Sequence, residues 1–296
     1  MKPLFVFCLF QWAFQPFLHA QQSDLNYGFL GKSIQPTIER LKKAPATAEN
    51  LIQLGDLYSS KENYNQAQKY FEQALKQDRT DLHIYKVALT SERLKKYPKA
   101  LELYFELWNK DTLNNLLQYR ISKLQMRLGQ YQKAFKNFES LKARDPEHPI
   151  YPYQMGLIET LDLDYSKAIN YFLEAYDRDS LIIDVIYQLA NSYNKLKIQD
   201  STALFISRGL KLDPVHKNLN RIKINRLNRE EKYEEAIVLL LQQDSLYPYE
   251  YFNTKMLGLC YYKTEAYEEA AKWFRESYRN NPEDFNSWTY LGHIAK

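Results

Sequence analysis

The chain has 296 residues, 40 Lys and Arg against 36 Asp and Glu, and a formal net charge of +4 at pH 7. That near-balance makes no electrostatic case for nucleic acid, and two cysteines cannot found a disulfide scaffold. An apolar fraction of 45% supports a continuous core, while 8 Gly and 11 Pro are too few for a turn-rich β architecture.

Residues 1–20 read as a secretory leader. Lys2 supplies the positive start, Leu4 to Phe14 is apolar except for Gln11, and cleavage is expected after Ala20, before the polar run Gln21-Gln22-Ser23-Asp24. The apolar run is too short to span a bilayer, and nothing later is apolar enough to cross one, so the mature chain is expected to have no membrane span. Cys8 lies too early for lipid attachment, and Cys260, the cysteine left after cleavage, is expected to be a buried small apolar residue. Residues 21–47 hold a lead-in and a short amphipathic helix, Ile34 to Lys43, which reads as a half repeat capping the N-terminal end.

From residue 48 one small side chain recurs: Ala67, Ala100, Ala134, Ala168, Thr202, Ala236 and Ala270, at intervals of 33, 34, 34, 34, 34 and 34 residues. A fixed period in this range is the signature of a repeat solenoid. Each unit reads as two helices. The first is Leu51-x-x-Leu54-Gly55-x-x-Tyr58, recurring as Leu257-Gly258-x-x-Tyr261 and Trp288-x-x-Leu291-Gly292. The second is Ala67-x-x-x-Phe71, recurring at Ala134/Phe138, Ala168/Phe172 and Ala270/Phe274. Apolar residues three and four apart share a helix face, Gly and Ala allow two helices to cross closely, and Pro146, Pro214, Pro248 and Pro282 end units. The pattern resembles the tetratricopeptide repeat (TPR) family. The resemblance implies an all-α, right-handed superhelical solenoid of seven helix-turn-helix repeats at 48–80, 81–114, 115–148, 149–182, 183–216, 217–250 and 251–284.

Three departures stand out. Unit five has Thr202 for the packing Ala and Gly209 inside its second helix; since Gly costs about 1 kcal/mol relative to Ala there, it is expected to be the softest link. Unit six has a polar first helix, Lys217 to Asn225, that needs its neighbours to hold it. Residues 285–296 form a first helix without its partner, read either as a C-terminal cap or as a truncated half repeat.

No chemistry-bearing constellation emerges. The five histidines lack metal-ligand spacing, and there is no phosphate loop or nucleophile elbow. No catalytic residue, metal or cofactor is expected. One column does stand out: Tyr85, Tyr119, Tyr153 and Tyr187 share a position in four successive first helices, which in the TPR family faces the concave groove. They read either as wall packing or as a track for an extended peptide or glycan. Later units replace them with Arg221 and Lys255, beside Asn191, Asn194, Asn225 and Asn228. Asn191, Asn225 and Lys255 are similar to the carboxylate clamp of TPR co-chaperones, although Tyr187 stands where that clamp has Lys and Leu259 where it has Arg. The resulting expectation is a non-catalytic binder of an extended peptide or partner helix, exported to the periplasm or the inner face of the outer membrane of a Gram-negative bacterium. The alternatives are a carbohydrate-binding or uptake component and the sensor part of a longer signalling protein.

Overall fold

In a computed structural model, residues 34–295 are described; the expected leader and the first part of the lead-in lie outside them. The described residues form sixteen helices and no strand: α1 (Ile34–Lys43), α2 (Ala48–Ser60), α3 (Tyr64–Gln77), α4 (Asp81–Arg93), α5 (Tyr97–Trp108), α6 (Asn115–Arg127), α7 (Tyr131–Arg144), α8 (Ile150–Leu161), α9 (Tyr165–Arg178), α10 (Ile183–Lys195), α11 (Gln199–Leu212), α12 (Lys217–Arg229), α13 (Tyr233–Leu246), α14 (Tyr251–Lys263), α15 (Tyr267–Asn280) and α16 (Phe285–Ile294). None is long and apolar enough to cross a membrane.

Local chemistry starts and stops them. Thr47, Asn63, Thr80, Asn114 and Asp164 each accept a backbone N–H with the side chain at a helix start, satisfying donors the helix itself leaves open. Within each pair the turn is the same seven times. A left-handed residue stands at Glu62, Lys95, Gly129, Leu163, Lys197, Glu231 and Glu265, with φ between 57° and 72°. The following N–H returns to the carbonyl five residues back, as in Asn63 to Tyr58 at 2.9 Å and Lys96 to Ser91 at 2.8 Å, the Schellman ending of a helix.

The small-residue column is the packing seam. Ala67, Ala100, Ala134, Ala168, Thr202, Ala236 and Ala270 are all fully buried, and the Thr202 hydroxyl is absorbed by donation to the Ile198 carbonyl at 2.7 Å. The glycine of the first helix meets the phenylalanine of the second. A Cβ on Gly55, Gly156 or Gly258 would stand 2.2 Å, 2.6 Å or 2.6 Å from the ring of Phe71, Phe172 or Phe274. Gly209 has the same kind of reason to exist. A Cβ there would meet Leu219 at 2.3 Å and Ile186 at 3.1 Å, so the residue marks a close approach of α11 to α12. The polar helix α12 buries Leu219, Ile222, Ile224 and Leu227. Cys260 is buried, and burial first of all pushes its thiol pKa up to about 12, as suits an inert core thiol.

The chain divides into two compact units, the first ending at Asn137 and the second beginning at Phe138, a boundary inside α7 that no linker marks. In unit 1 the core runs through Phe71, Ile84, Tyr104, Leu117 and Ile121, with α1 packing Ile38 and Leu41 on Leu54 and Leu57. In unit 2 it runs through Phe172, Ile186, Leu189 and Phe205, then Leu240, Leu257 and Cys260. At its end α16 buries Ser287 and stacks Tyr290 on Phe274, ring centroids 4.9 Å apart, while Trp288 is exposed and Gly292 has no neighbour within 4 Å of a Cβ.

Candidate functional site

In unit 1 the first helices of successive repeats, α2, α4 and α6, carry two open clefts. The first, about 380 Å³, is bounded by Ile34, Asp56, Tyr64, Lys86, Leu89 and Arg93. On its wall the Lys86 ammonium meets the Asp56 carboxylate at 2.6 Å, with 9% and 21% of the side chains exposed. An ion pair this far out of water is held by geometry and is costly to break on one side.

The second cleft, about 320 Å³, lies among the end of α4, the start of α5 and the face of α6. Its cations are Arg93, Lys95, Arg120, Lys123 and Arg127, and its one carboxylate is Glu92. That carboxylate is already engaged: its Oε2 accepts from Arg120 Nη1 at 3.1 Å and from the hydroxyl of buried Tyr104 at 3.0 Å. The Arg120 guanidinium also lies over the Tyr85 and Tyr104 rings, 5.7 Å and 5.8 Å from their centroids. Arg93, Lys123 and Arg127 make no ion pair and no hydrogen bond among the described residues. Lys123 is half-buried, and burial first, then the neighbouring Arg127 charge, holds its pKa below the ordinary lysine range despite Glu92.

Of the tyrosine column, Tyr85 is 8% exposed and belongs to the core, its ring tilted against Tyr104 at 6.0 Å. Tyr119 is half-buried, and burial raises its pKa. In unit 2, Tyr153 packs against Phe172 at 6.0 Å and Tyr187 against the His216 ring at 5.8 Å. His216 caps α12, its Nδ1 accepting from the Leu219 N–H at 3.2 Å. Of the two readings of this column, Tyr85 follows wall packing, because the aromatic cluster with Tyr104 and Arg120 closes over it.

The two cations of the polar column of unit 2 are structurally occupied. Arg221 pairs with Glu250 and lies over the Phe252 ring at 5.0 Å, and Glu250 also takes Lys217 at 2.9 Å. Lys255 donates to Asp284 Oδ1 and to the Tyr251 hydroxyl, each at 3.0 Å. Buried Asp284 further accepts from Ser277 and Ser287. These two cations bridge one repeat to the next element, and Lys255, the clamp-like cation of the two, is paired to Asp284. Asn194 accepts from Arg229 at 2.9 Å, Asn225 is exposed, Asn191 is half-exposed, and Asn228 Oδ1 is buried without a partner.

The residues missed from sequence are Arg93, Lys123 and Arg127. Two signals pointed to them. Arg93 and Arg127 are 34 residues apart, one period, and residues 34–137 hold 18 Lys and Arg against 11 Asp and Glu. No group of three His, Cys, Asp or Glu poised to hold a metal occurs among the described residues.

Residues 48–81, 117–148 and 254–285 each match a family described as tetratricopeptide repeat. No curated protein matches the sequence. Among solved structures, a tetratricopeptide repeat protein from Parabacteroides merdae superposes with a TM-score of 0.61 at 16% identity, covering 84% of this chain and 99% of that one. The pilF protein of Pseudomonas aeruginosa gives 0.56 at 18% identity, over 74% and 96%. MamA from Desulfovibrio magneticus gives 0.52 at 16% identity, over 59% and 98%. At these identities the likeness is one of fold.

Proposed function

Since the chain belongs to the tetratricopeptide-repeat proteins, we propose that it is a non-catalytic scaffold that binds an extended peptide or partner helix along the first-helix face. The observation that carries this is the pair of clefts on α2, α4 and α6, which share Arg93 as a common wall. Repeats of this kind stack one supersecondary unit on the next and leave one set of helices to line a continuous binding surface. In unit 1, Tyr119 and the basic cleft supply such a surface; in unit 2, taken by itself, the partly exposed Tyr153, Tyr187 and Asn191 and the exposed Asn225 do. The packing of Tyr85, Tyr153 and Tyr187 against neighbouring rings favours a peptide over a glycan, since stacked sugars need open aromatic faces. The leader-like residues 1–20 support export to the periplasm or to the inner face of a Gram-negative outer membrane.

The test is site-specific cross-linking of a peptide library. A photo-reactive residue at position 89, on the first cleft, should capture bound peptides. The same residue at position 69, exposed on α3, should not. Equal capture at both positions would remove the first-helix face as the binding surface.

A further inference from the structure

Resting on that reading, we propose that the basic cleft between α4 and α6 takes the side-chain carboxylates of an acidic peptide segment, bound through its interior and not by its C-terminus. Five cations line the cleft against one carboxylate, and that carboxylate is consumed by Arg120 and Tyr104. Arg93, Lys123 and Arg127 are left with no anion. Holding a half-buried ammonium beside a guanidinium is electrostatically unfavourable, and a carboxylate arriving in the cleft relieves it. The guanidinium fork of Arg93 or Arg127 accepts a carboxylate in a bidentate pair, the stronger form of such contacts.

Several separated cations on two helices match several side-chain charges, whereas one terminal carboxylate would satisfy only one of them. Glu92 is an internal example of the chemistry, a side-chain carboxylate held on this wall by Arg and Tyr. The surplus of basic residues over 34–137 adds long-range steering of an acidic partner. Unit 2 offers no equivalent at Arg221 and Lys255, since Glu250 and Asp284 neutralise both.

The experiment uses the full mature chain and fluorescence anisotropy. One probe is a labelled peptide rich in Asp and Glu with an amidated C-terminus; the other is its Asn and Gln counterpart. Variants are the double change Lys123→Gln, Arg127→Gln and a control, Lys69→Gln, Lys133→Gln, at exposed cations outside the cleft. The acidic peptide should bind about tenfold more tightly than its amide counterpart, and the cleft variant should lose about tenfold, or 1.4 kcal/mol. The control should be unchanged, and binding should weaken as salt rises from roughly 50 to 500 mM. Equal binding of both peptides, untouched by the cleft variant, overturns the acidic class while leaving the peptide groove in place. Failure of both peptides, with inorganic phosphate alone occupying the cleft, overturns both readings. Retained thermal unfolding of the variant excludes misfolding as the cause of a loss.

Discussion

Residues 34–137 carry 18 Lys and Arg against 11 Asp and Glu, and residues 138–295 carry 19 against 24. At some repeat positions lysines of the first unit give way to glutamates in the last two repeats of the second, while Lys167 and Lys197 keep the positive sign and Glu62 is already acidic in the first. Lys95, Lys99 and Lys133 in the first unit correspond to Glu231 and Glu265, Glu235, and Glu269 in the second. The cations are also used differently. In unit 2, Arg221 and Lys255 are tied to Glu250 and Asp284 and hold consecutive elements together. In unit 1, Arg93, Lys123 and Arg127 are tied to nothing. Unit 1 has cross-repeat pairs as well, Lys86 with Asp56 and Arg120 with Glu92, so there a solenoid's two needs, cross-repeat bonds for stability and open polar groups for recognition, fall to different cations of one repeat plan.

The largest test of this contrast replaces one lysine in each unit. Lys255→Met leaves Asp284, 2% exposed at its side chain, without its cation and should cost about 3 kcal/mol, read as faster hydrogen exchange in α14 to α16. Lys123→Met removes an unpaired, half-buried charge and should leave unit 1 unchanged or slower to exchange. Destabilisation of similar size at both sites would erase the contrast.

A second test should show no contrast, because the packing is common to both units. Gly55→Ala and Gly156→Ala each push a methyl into a buried phenylalanine ring and should cost about 2 kcal/mol, despite the better helix propensity of Ala. A clear difference in cost between the units would mean that their frameworks, as well as their charges, differ. A smaller effect sits in the repeated turn. Leu163 holds φ 60° and is 70% exposed, so Leu163→Gly should stabilise by about 1 kcal/mol, seen as a raised Tm.

The most gradual effect is that of pH on unit 2. Burial of Asp284 opposes its ionisation, but hydrogen bonds from Ser287 and Lys255 outweigh it and hold its carboxyl below the usual range. The unfolded chain therefore takes up this proton first. The stabilisation is complete above about pH 4 and is lost as pH falls through the lower folded value. Hydrogen exchange at α16 should accelerate in that window, and Asp284→Asn should remove the acid dependence.

The repeat register and the helix pairs were legible because they are written in local spacing: an Ala every period, a Gly sixteen residues before a Phe. The left-handed turn column was not, because Gly129 is its one residue with a conformational signature and Glu, Lys and Leu fill the rest. The fate of Arg221 and Lys255 was hidden because their partners, Glu250 and Asp284, lie 29 residues away, at the N-caps of the helices that open the following repeats. The open cations were hidden differently. A net charge of +4 averages a basic stretch with an acidic one, and the charge sum has to be taken along the chain before the cleft shows.

The central claim is that the Lys123 charge stands uncompensated until a ligand arrives. Nuclear magnetic resonance of selectively labelled lysine, titrated with and without the acidic peptide, measures that charge state directly. The Lys123 ammonium should titrate below the ordinary lysine range in the free protein and move up when the peptide binds. An ordinary value, unmoved by saturating peptide, would contradict the account.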